Sequence, residues 1–306
     1  MVHRTIGSLS VSVVGIGCNN FGARLDARAT TGVVHAALDA GVNFFDTADI
    51  YGATQSEIFL GQALRDRRDE AVVATKFGMP IDDTHFGAKP AYVREACEAS
   101  LRRLGTDHID LYQLHYPDES VPIADTLGAL AELVAAGKVR EIGCSNLSAD
   151  QLRAAKTAAG EHPAFVSLQN QYSLLAREVE DDGVLDTCRD LGLAFLPYYP
   201  LANGLLTGKV RPGEPIPEGT RLSLMAPERS VHWLSAAFQA KVGALLEYAA
   251  EIDVPILALA FSWLVSHPEV ASVIAGASSP DQVRANVAAV TTLEPRVRAR
   301  LDELTA

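Results

Sequence analysis

The chain has 306 residues, 48% hydrophobic and 21% charged, and its 26 Lys+Arg against 38 Asp+Glu give −12 at pH 7. That composition excludes a disordered chain, and the acidic balance argues against nucleic acid or an anionic membrane as the main partner. No apolar run reaches the roughly 18 residues of a membrane span, and Met1-Val2-His3-Arg4-Thr5 opens no signal-peptide apolar segment, so a cytoplasmic protein is expected.

Residues 1–12, with Gly7-Ser8 as a turn, are expected to form a hairpin. From there a short apolar strand followed by an amphipathic helix recurs. Strands are expected at Val13–Ile16, Val42–Asp46, Ala71–Lys76, Ile109–His115, Glu141–Ser145, Phe165–Gln169, Ala194–Tyr198 and Val273–Ala275. Most are rich in β-branched residues and apolar on both faces, as in a buried parallel sheet. Helical periodicity covers Thr30–Ala40, Gln55–Arg67, Ala91–Leu104, Ile123–Ala136, Ala149–Ala159 and Asp281–Val290, with Ser148 as an N-cap. Gly41, Gly105, Gly137 and Gly160 fall just past helix ends, where a left-handed cap stops a helix.

This alternation predicts a (β/α)8 TIM barrel in one domain, residues 1–306, with the N-terminal β-hairpin plugging its floor and long loops on its C-terminal face. A doubly wound sheet is disfavoured, because Gly15-Ile16-Gly17 is not completed to G-x-G-x-x-G. The stretch Leu201–Val242 is rich in Pro and Gly and reads as a long functional loop. The four cysteines (Cys18, Cys97, Cys144 and Cys188) show no C-x-x-C spacing, as expected for reduced thiols, and no His/Asp cluster suggests a metal.

Barrel active sites form at the C-terminal strand ends. The polar residues there are Asp46, Lys76, His115, Ser145 with Asn146, Gln169 and Tyr198, with Tyr51 five residues past Asp46. Each has an ordinary structural reading taken singly: a turn carboxylate, a core histidine, a loop tyrosine. Together they read as a proton-transfer site. An ammonium beside a phenol lowers its pKa, so Lys76 would tune Tyr51 as the acid; Asp46 would orient Lys76, and a neutral His115 would hydrogen-bond a carbonyl oxygen. None supplies a hydride, so reduction calls for a cofactor.

These motifs resemble the aldo-keto reductases over nearly the whole chain. The resemblance rests on Gly41-Val42-Asn43-Phe44-Phe45-Asp46-Thr47-Ala48-Asp49-Ile50-Tyr51-Gly52, Thr75-Lys76, Asp110-Leu111-Tyr112-Gln113-Leu114-His115, and Gly143-Cys144-Ser145-Asn146. It continues through Gln169-Asn170-Gln171-Tyr172, Pro200-Leu201, Gly204-Leu205-Leu206-Thr207-Gly208-Lys209 and Gly276-Ala277-Ser278. It implies NADP(H)-dependent carbonyl reduction with Asp46, Tyr51, Lys76 and His115 as a tetrad. By the same resemblance Ser145, Asn146 and Gln169 would hold the nicotinamide carboxamide, Tyr198 would stack on the ring, and Gly17 and Cys18 would flank it. Tyr199, Pro200, Leu201, Gly204, Leu205, Thr207, Gly208, Lys209 and Arg221 would wrap the pyrophosphate, and Gly276, Ser278, Gln282 and Asn286 the adenosine end. Ala285 stands where many relatives have glutamate, and Arg284 is not clearly aimed at a 2′-phosphate, so NADP(H) is preferred with NAD(H) possible.

Phe21, Tyr116 and Trp233 are expected in the substrate pocket, for a small-molecule carbonyl or sugar and a monomer or small homo-oligomer. Two other roles are open: an aldose 1-dehydrogenase running oxidatively, and a cofactor-sensing regulatory subunit.

Overall fold

The computed structural model describes residues 1–306, apart from the side chain of Arg229. The hairpin is present: β1 (His3–Ile6) pairs antiparallel with β2 (Leu9–Ser12) around Gly7, whose φ of +55° suits glycine. Its inward residues Ile6, Leu9 and Val11 pack with Phe44, Leu111 and Leu196 and close the barrel floor.

Eight parallel strands form the barrel. They are β3 (Val14–Gly17), β4 (Phe44–Asp46), β5 (Val72–Phe77), β6 (Ile109–Leu114), β7 (Val139–Ser145), β8 (Ser167–Gln171), β9 (Ala194–Tyr198) and β10 (Val273–Gly276). They run in the order β10-β3-β4-β5-β6-β7-β8-β9. The seam between the end strands is joined where Phe195 N–H donates to Glu269 O (2.7 Å) and Ala271 N–H to Phe195 O (3.0 Å). Registers such as Lys76↔Gln113, Ser145↔Gln169 and Gln171↔Tyr198 bring the polar C-terminal ends to one mouth.

The helices around it are α1 (Ala27–Asp39), α2 (Gln55–Leu64), α3 (Pro90–Leu104), α4 (Ile123–Ala135), α5 (Ala149–Ala159), α6 (Glu178–Asp181) and α7 (Val184–Leu191). The chain continues with α8 (Pro227–Trp233), α9 (Ala236–Glu251), α10 (Ile256–Val265), α11 (Pro280–Ala288) and α12 (Pro295–Thr305). Ser148 caps α5 in a capping box with Gln151. No single described helix is long and apolar enough to cross a membrane.

Several expected boundaries shift. The second barrel strand is only Phe44–Asp46, and the sixth starts at Ser167 and runs to Gln171 rather than covering Phe165–Gln169. The helix expected to Arg67 ends at Leu64, where a 3-10 turn, Arg68–Glu70, takes over. Gly160 has ψ −116°, outside the left-handed helical basin, whereas Gly105 is a left-handed cap (φ 65°, ψ 37°). Leu201–Val242 is not one loop: it holds a 3-10 segment, Ala202–Thr207, then α8, and its last residues begin α9. Proline and glycine obscured those short turns. In α10, Ala258 to Leu264 are all buried, so it has no polar face to mark it as a helix.

Candidate active site

The mouth is built around one buried ion pair. Lys76 Nζ donates to Asp46 Oδ2 at 2.6 Å and to the Thr47 carbonyl at 2.9 Å. Asp46 Oδ1 accepts from Gln169 Nε2 at 2.9 Å and Gln113 Nε2 at 3.1 Å. A buried pair is tolerable only when its remaining donors and acceptors are met in this way; removing one partner of such a pair costs about 3–5 kcal/mol. Burial opposes the Lys76 ammonium, but Asp46 and Tyr51 outweigh it and hold its pKa above the ordinary lysine value. Lys76 is therefore a fixed cation.

Tyr51 lies beside it, with Lys76 Nζ 5.2 Å from the ring centroid. The segment after Tyr51 is strained into place. Gly52, Ala53 and Thr54 have φ of 57°, 51° and 73°, and a Cβ on Gly52 would sit 2.5 Å from the Phe21 carbonyl. Such strain persists only where the surroundings enforce it. The expectation that Lys76 lowers the phenol pKa meets a correction: Lys76 does pull it down, but burial is the larger effect and pushes it above its ordinary value. The phenol is therefore held protonated.

His115 completes the group, its ring 5.9 Å from that of Tyr51 at 80°. Burial, reinforced by the Lys76 cation, pulls its pKa down to about 3, so the imidazole is neutral at pH 7. Its Nδ1 has no hydrogen-bond partner among the described residues. Tyr116 stacks on it at 5.6 Å and is 48% exposed. A protonated phenol, a fixed cation behind it and a neutral imidazole across from it can together protonate and polarise one oxygen.

Around this centre Asn146, at a left-handed φ of 62°, ties three strand ends together. Its Nδ2 donates to the His115 carbonyl at 3.0 Å, and its Oδ1 accepts from Tyr198 Oη at 2.9 Å. Ser145 Oγ donates to the Gln169 carbonyl at 2.7 Å. Gly17 and Cys18 are buried at the end of β3.

The segment after β9 turns through left-handed Tyr199, Ala202, Asn203, Gly204 and Gly208. Pro200 and Leu205 are buried, Leu201 half-buried and Lys209 exposed, while Thr207 Oγ1 donates to the Gly204 carbonyl at 2.7 Å. Arg221 lies over the Tyr199 ring at 4.9 Å, and Arg24 donates to the Gly219 carbonyl at 3.1 Å. On the far side, Gly276 is exposed, Gln282 Oε1 accepts from Ser278 N–H at 2.8 Å, and the buried Asn286 Nδ2 is unpartnered.

Of the residues expected in the substrate pocket, Tyr116 is exposed beside His115, Phe21 is buried with its carbonyl against Gly52, and Trp233 is buried and stacks on Phe238 at 5.6 Å. Gln113 was missed, although it lies two residues before His115 and so on the same face of the strand. The other missed group is outside the barrel wall. There Glu57 accepts from Thr75 Oγ1 and Arg103 Nε, each at 2.6 Å, a pairing between helices and strand that local pattern does not reveal.

Comparison with known proteins agrees with this geometry. The model of the Aldo/keto reductase family matches residues 13–306. A soybean (Glycine max) protein named "Probable aldo-keto reductase 1" is 39% identical over 207 residues, covering 65% of this chain and 58% of the relative's own length. With a family match spanning nearly all of an eight-stranded barrel, the chain belongs to the aldo/keto reductase family.

Proposed function

We propose that the protein is an NADP(H)-dependent reductase that converts a small aldehyde, ketone or sugar carbonyl to the alcohol, with NAD(H) also accepted. The observation that carries this reading is the placement of Tyr51, held protonated, between the Lys76 cation and the neutral His115.

The residues of the mouth fit a dinucleotide. Tyr198 offers a half-buried ring, and the buried Asn203 Oδ1 and Asn286 Nδ2 are unpartnered, one in the segment after β9 and one in α11. Ser145, Asn146, Gln169, Gly17 and Cys18 would hold the nicotinamide end, with Tyr198 against the ring. Tyr199 to Lys209 and Arg221 would take the pyrophosphate, and Ser278, Gln282 and Asn286 the adenosine. Arg284 donates to Asp281 at 2.6 Å on its own helix in an exposed pair, so titration with NADPH and NADH decides the preference.

When bound, the nicotinamide supplies a hydride to the carbonyl carbon. Tyr51 Oη gives its proton to the carbonyl oxygen, and His115 donates a hydrogen bond that orients that oxygen. Lys76 stabilises the phenolate left behind. Asp46 keeps Lys76 charged and aimed, and is itself held by Gln113 and Gln169. The same groups serve alcohol oxidation in reverse, with the Tyr51 phenolate as base.

The test is fluorescence titration with NADPH and NADH, then turnover on a panel of simple aldehydes and sugars. Binding with aldehyde turnover that is lost in Tyr51→Phe supports the proposal. Tight binding without turnover on any substrate favours a sensing subunit, and absence of binding overturns both.

A further inference from the structure

Just outside the barrel wall, behind Lys76, lies a buried polar group that the proposed chemistry does not use. Asp49 is fully buried, and neither of its carboxylate oxygens has a hydrogen-bond partner among the described residues. The buried hydroxyls of Tyr92 on α3 and Tyr112 on β6 are also unpartnered, and both lie near enough that an ionised Asp49 would raise their pKa values. Two cations are near, and both are engaged elsewhere: Arg103 of α3 with Glu57 of α2, and Lys76 of β5 with Asp46. Glu57 is a second buried carboxyl facing Asp49 and is already satisfied by Arg103 and Thr75. An isolated buried carboxylate beside another acid is far more costly than the neutral acid.

The backbone of Asp49 connects this group to the reacting residues. Its N–H donates to the Lys76 carbonyl at 3.1 Å, while Lys76 Nζ donates to the Thr47 carbonyl at 2.9 Å. Tyr51 N–H in turn donates to Ala48 O at 3.1 Å. The segment 46–51 is thus wound around Lys76 by backbone bonds, and the buried Asp49 carboxyl sits inside that turn, two residues from Tyr51.

We propose that Asp49 is held as a neutral carboxylic acid, and that in this form it is a positioning residue that seats the Tyr51 segment against the barrel. The positioning half rests on the reductase reading above; the neutral acid stands without it. Burial, with the nearby Glu57, raises the Asp49 pKa to about 7. On further rise in pH the proton leaves to solvent, an uncompensated anion is left in the wall, and the seat of Tyr51 loosens. A folded-state value above the unfolded one of about 3.9 means that stability is lost as pH climbs between the two.

The experiment compares wild type with Asp49→Asn, which copies the neutral acid, and Asp49→Ala, which removes it, between about pH 5 and 9. The Asp49→Asn protein should gain in unfolding temperature relative to wild type as pH rises from about 5 to about 7, and the gain should level off above that. Wild-type kcat should fall through the same pH, with KM for the carbonyl moving less; this inflection should vanish in Asp49→Asn. Asp49→Ala, which removes the titrating carboxyl and keeps the backbone bond to Lys76, should lose the same inflection in kcat. A ring-carbon resonance of isotope-labelled Tyr51, assigned by its loss in Tyr51→Phe, should carry the same inflection in wild type only.

Unfolding curves that run parallel across the range overturn the neutral acid. Diverging curves with unchanged kcat profiles and Tyr51 resonances overturn the positioning role. If no carbonyl is turned over, the reductase reading fails alone, because unfolding and the Tyr51 resonance still decide this proposal. If Asp49→Asn does not fold, an infrared carboxylic-acid band in wild type at neutral pH supports the neutral acid, and a Tyr51 resonance that shifts as that band disappears supports its positioning role. Absence of the band overturns the first, and an unmoved resonance the second.

Discussion

At the barrel floor, Ile6, Leu9 and Val11 of the hairpin meet Phe44, Leu111 and Leu196 in an apolar plug. At the mouth, at the C-terminal ends of the barrel strands, Asp46, Lys76, Gln113, His115 and Gln169 are buried as well, yet all are polar. The floor gains stability from area removed from water, roughly 25 cal/mol per Å². The mouth spends some of that gain on keeping a desolvated ion pair, a raised phenol and a lowered imidazole in fixed positions. Stability and chemistry are thus divided between the two ends of one barrel, and mutations at each should be separable in kind.

The largest separation is expected from Tyr51→Phe. Loss of the proposed general acid should lower kcat by about 10²–10⁴-fold, with the unfolding temperature and the Kd for NADPH close to wild type. A comparable loss of stability would place Tyr51 among the structural residues instead. Leu111→Ala at the floor should behave oppositely, costing about 2–5 kcal/mol in denaturant unfolding while kcat, measured well below the transition, stays within a few-fold.

His115 gives a pH-dependent contrast. Its folded pKa of about 3 lies below the unfolded value of about 6.5, so stability should be lost as pH falls from about 6.5 toward 3. His115→Asn should remove part of that acid slope in thermal unfolding; an unchanged slope would show that the imidazole is not buried in neutral form. The smallest effect is expected from Tyr198→Ala, which should weaken dinucleotide binding by about 0.5–1.5 kcal/mol, or about 2–12-fold in Kd. An unchanged Kd would break the stacking role of Tyr198.

The barrel was legible because its signals are local. Apolar strands such as Ala71–Lys76, a capping serine at Ser148 and glycines such as Gly105 all act within a few residues. The gathering of Asp46, Lys76 and His115 at one mouth was legible because a polar residue at the end of an apolar strand is conspicuous, as Lys76 is after Val72-Val73-Ala74-Thr75. The helices α9 and α10 were not legible in this way: α10 is apolar almost all round, and α9 begins inside a stretch that reads as loop. Nor did sequence alone show how deeply Phe21 and Trp233 are buried, since large aromatics suit an open pocket wall and a packed interior equally.

The sequence by itself determined the alternation of strand and helix, the reactive residue types and the mouth at which they gather, because each follows from chain periodicity. Only the tertiary structure decided their ionisation and partners. It brought Gln113 and Gln169 onto Asp46, paired Arg103 with Glu57 across the wall, and left Asp49 without a cation. It also decided that burial outweighs Lys76 in setting the Tyr51 phenol. These are sums over groups distant along the chain, and desolvation and charge depend on what surrounds a residue in space.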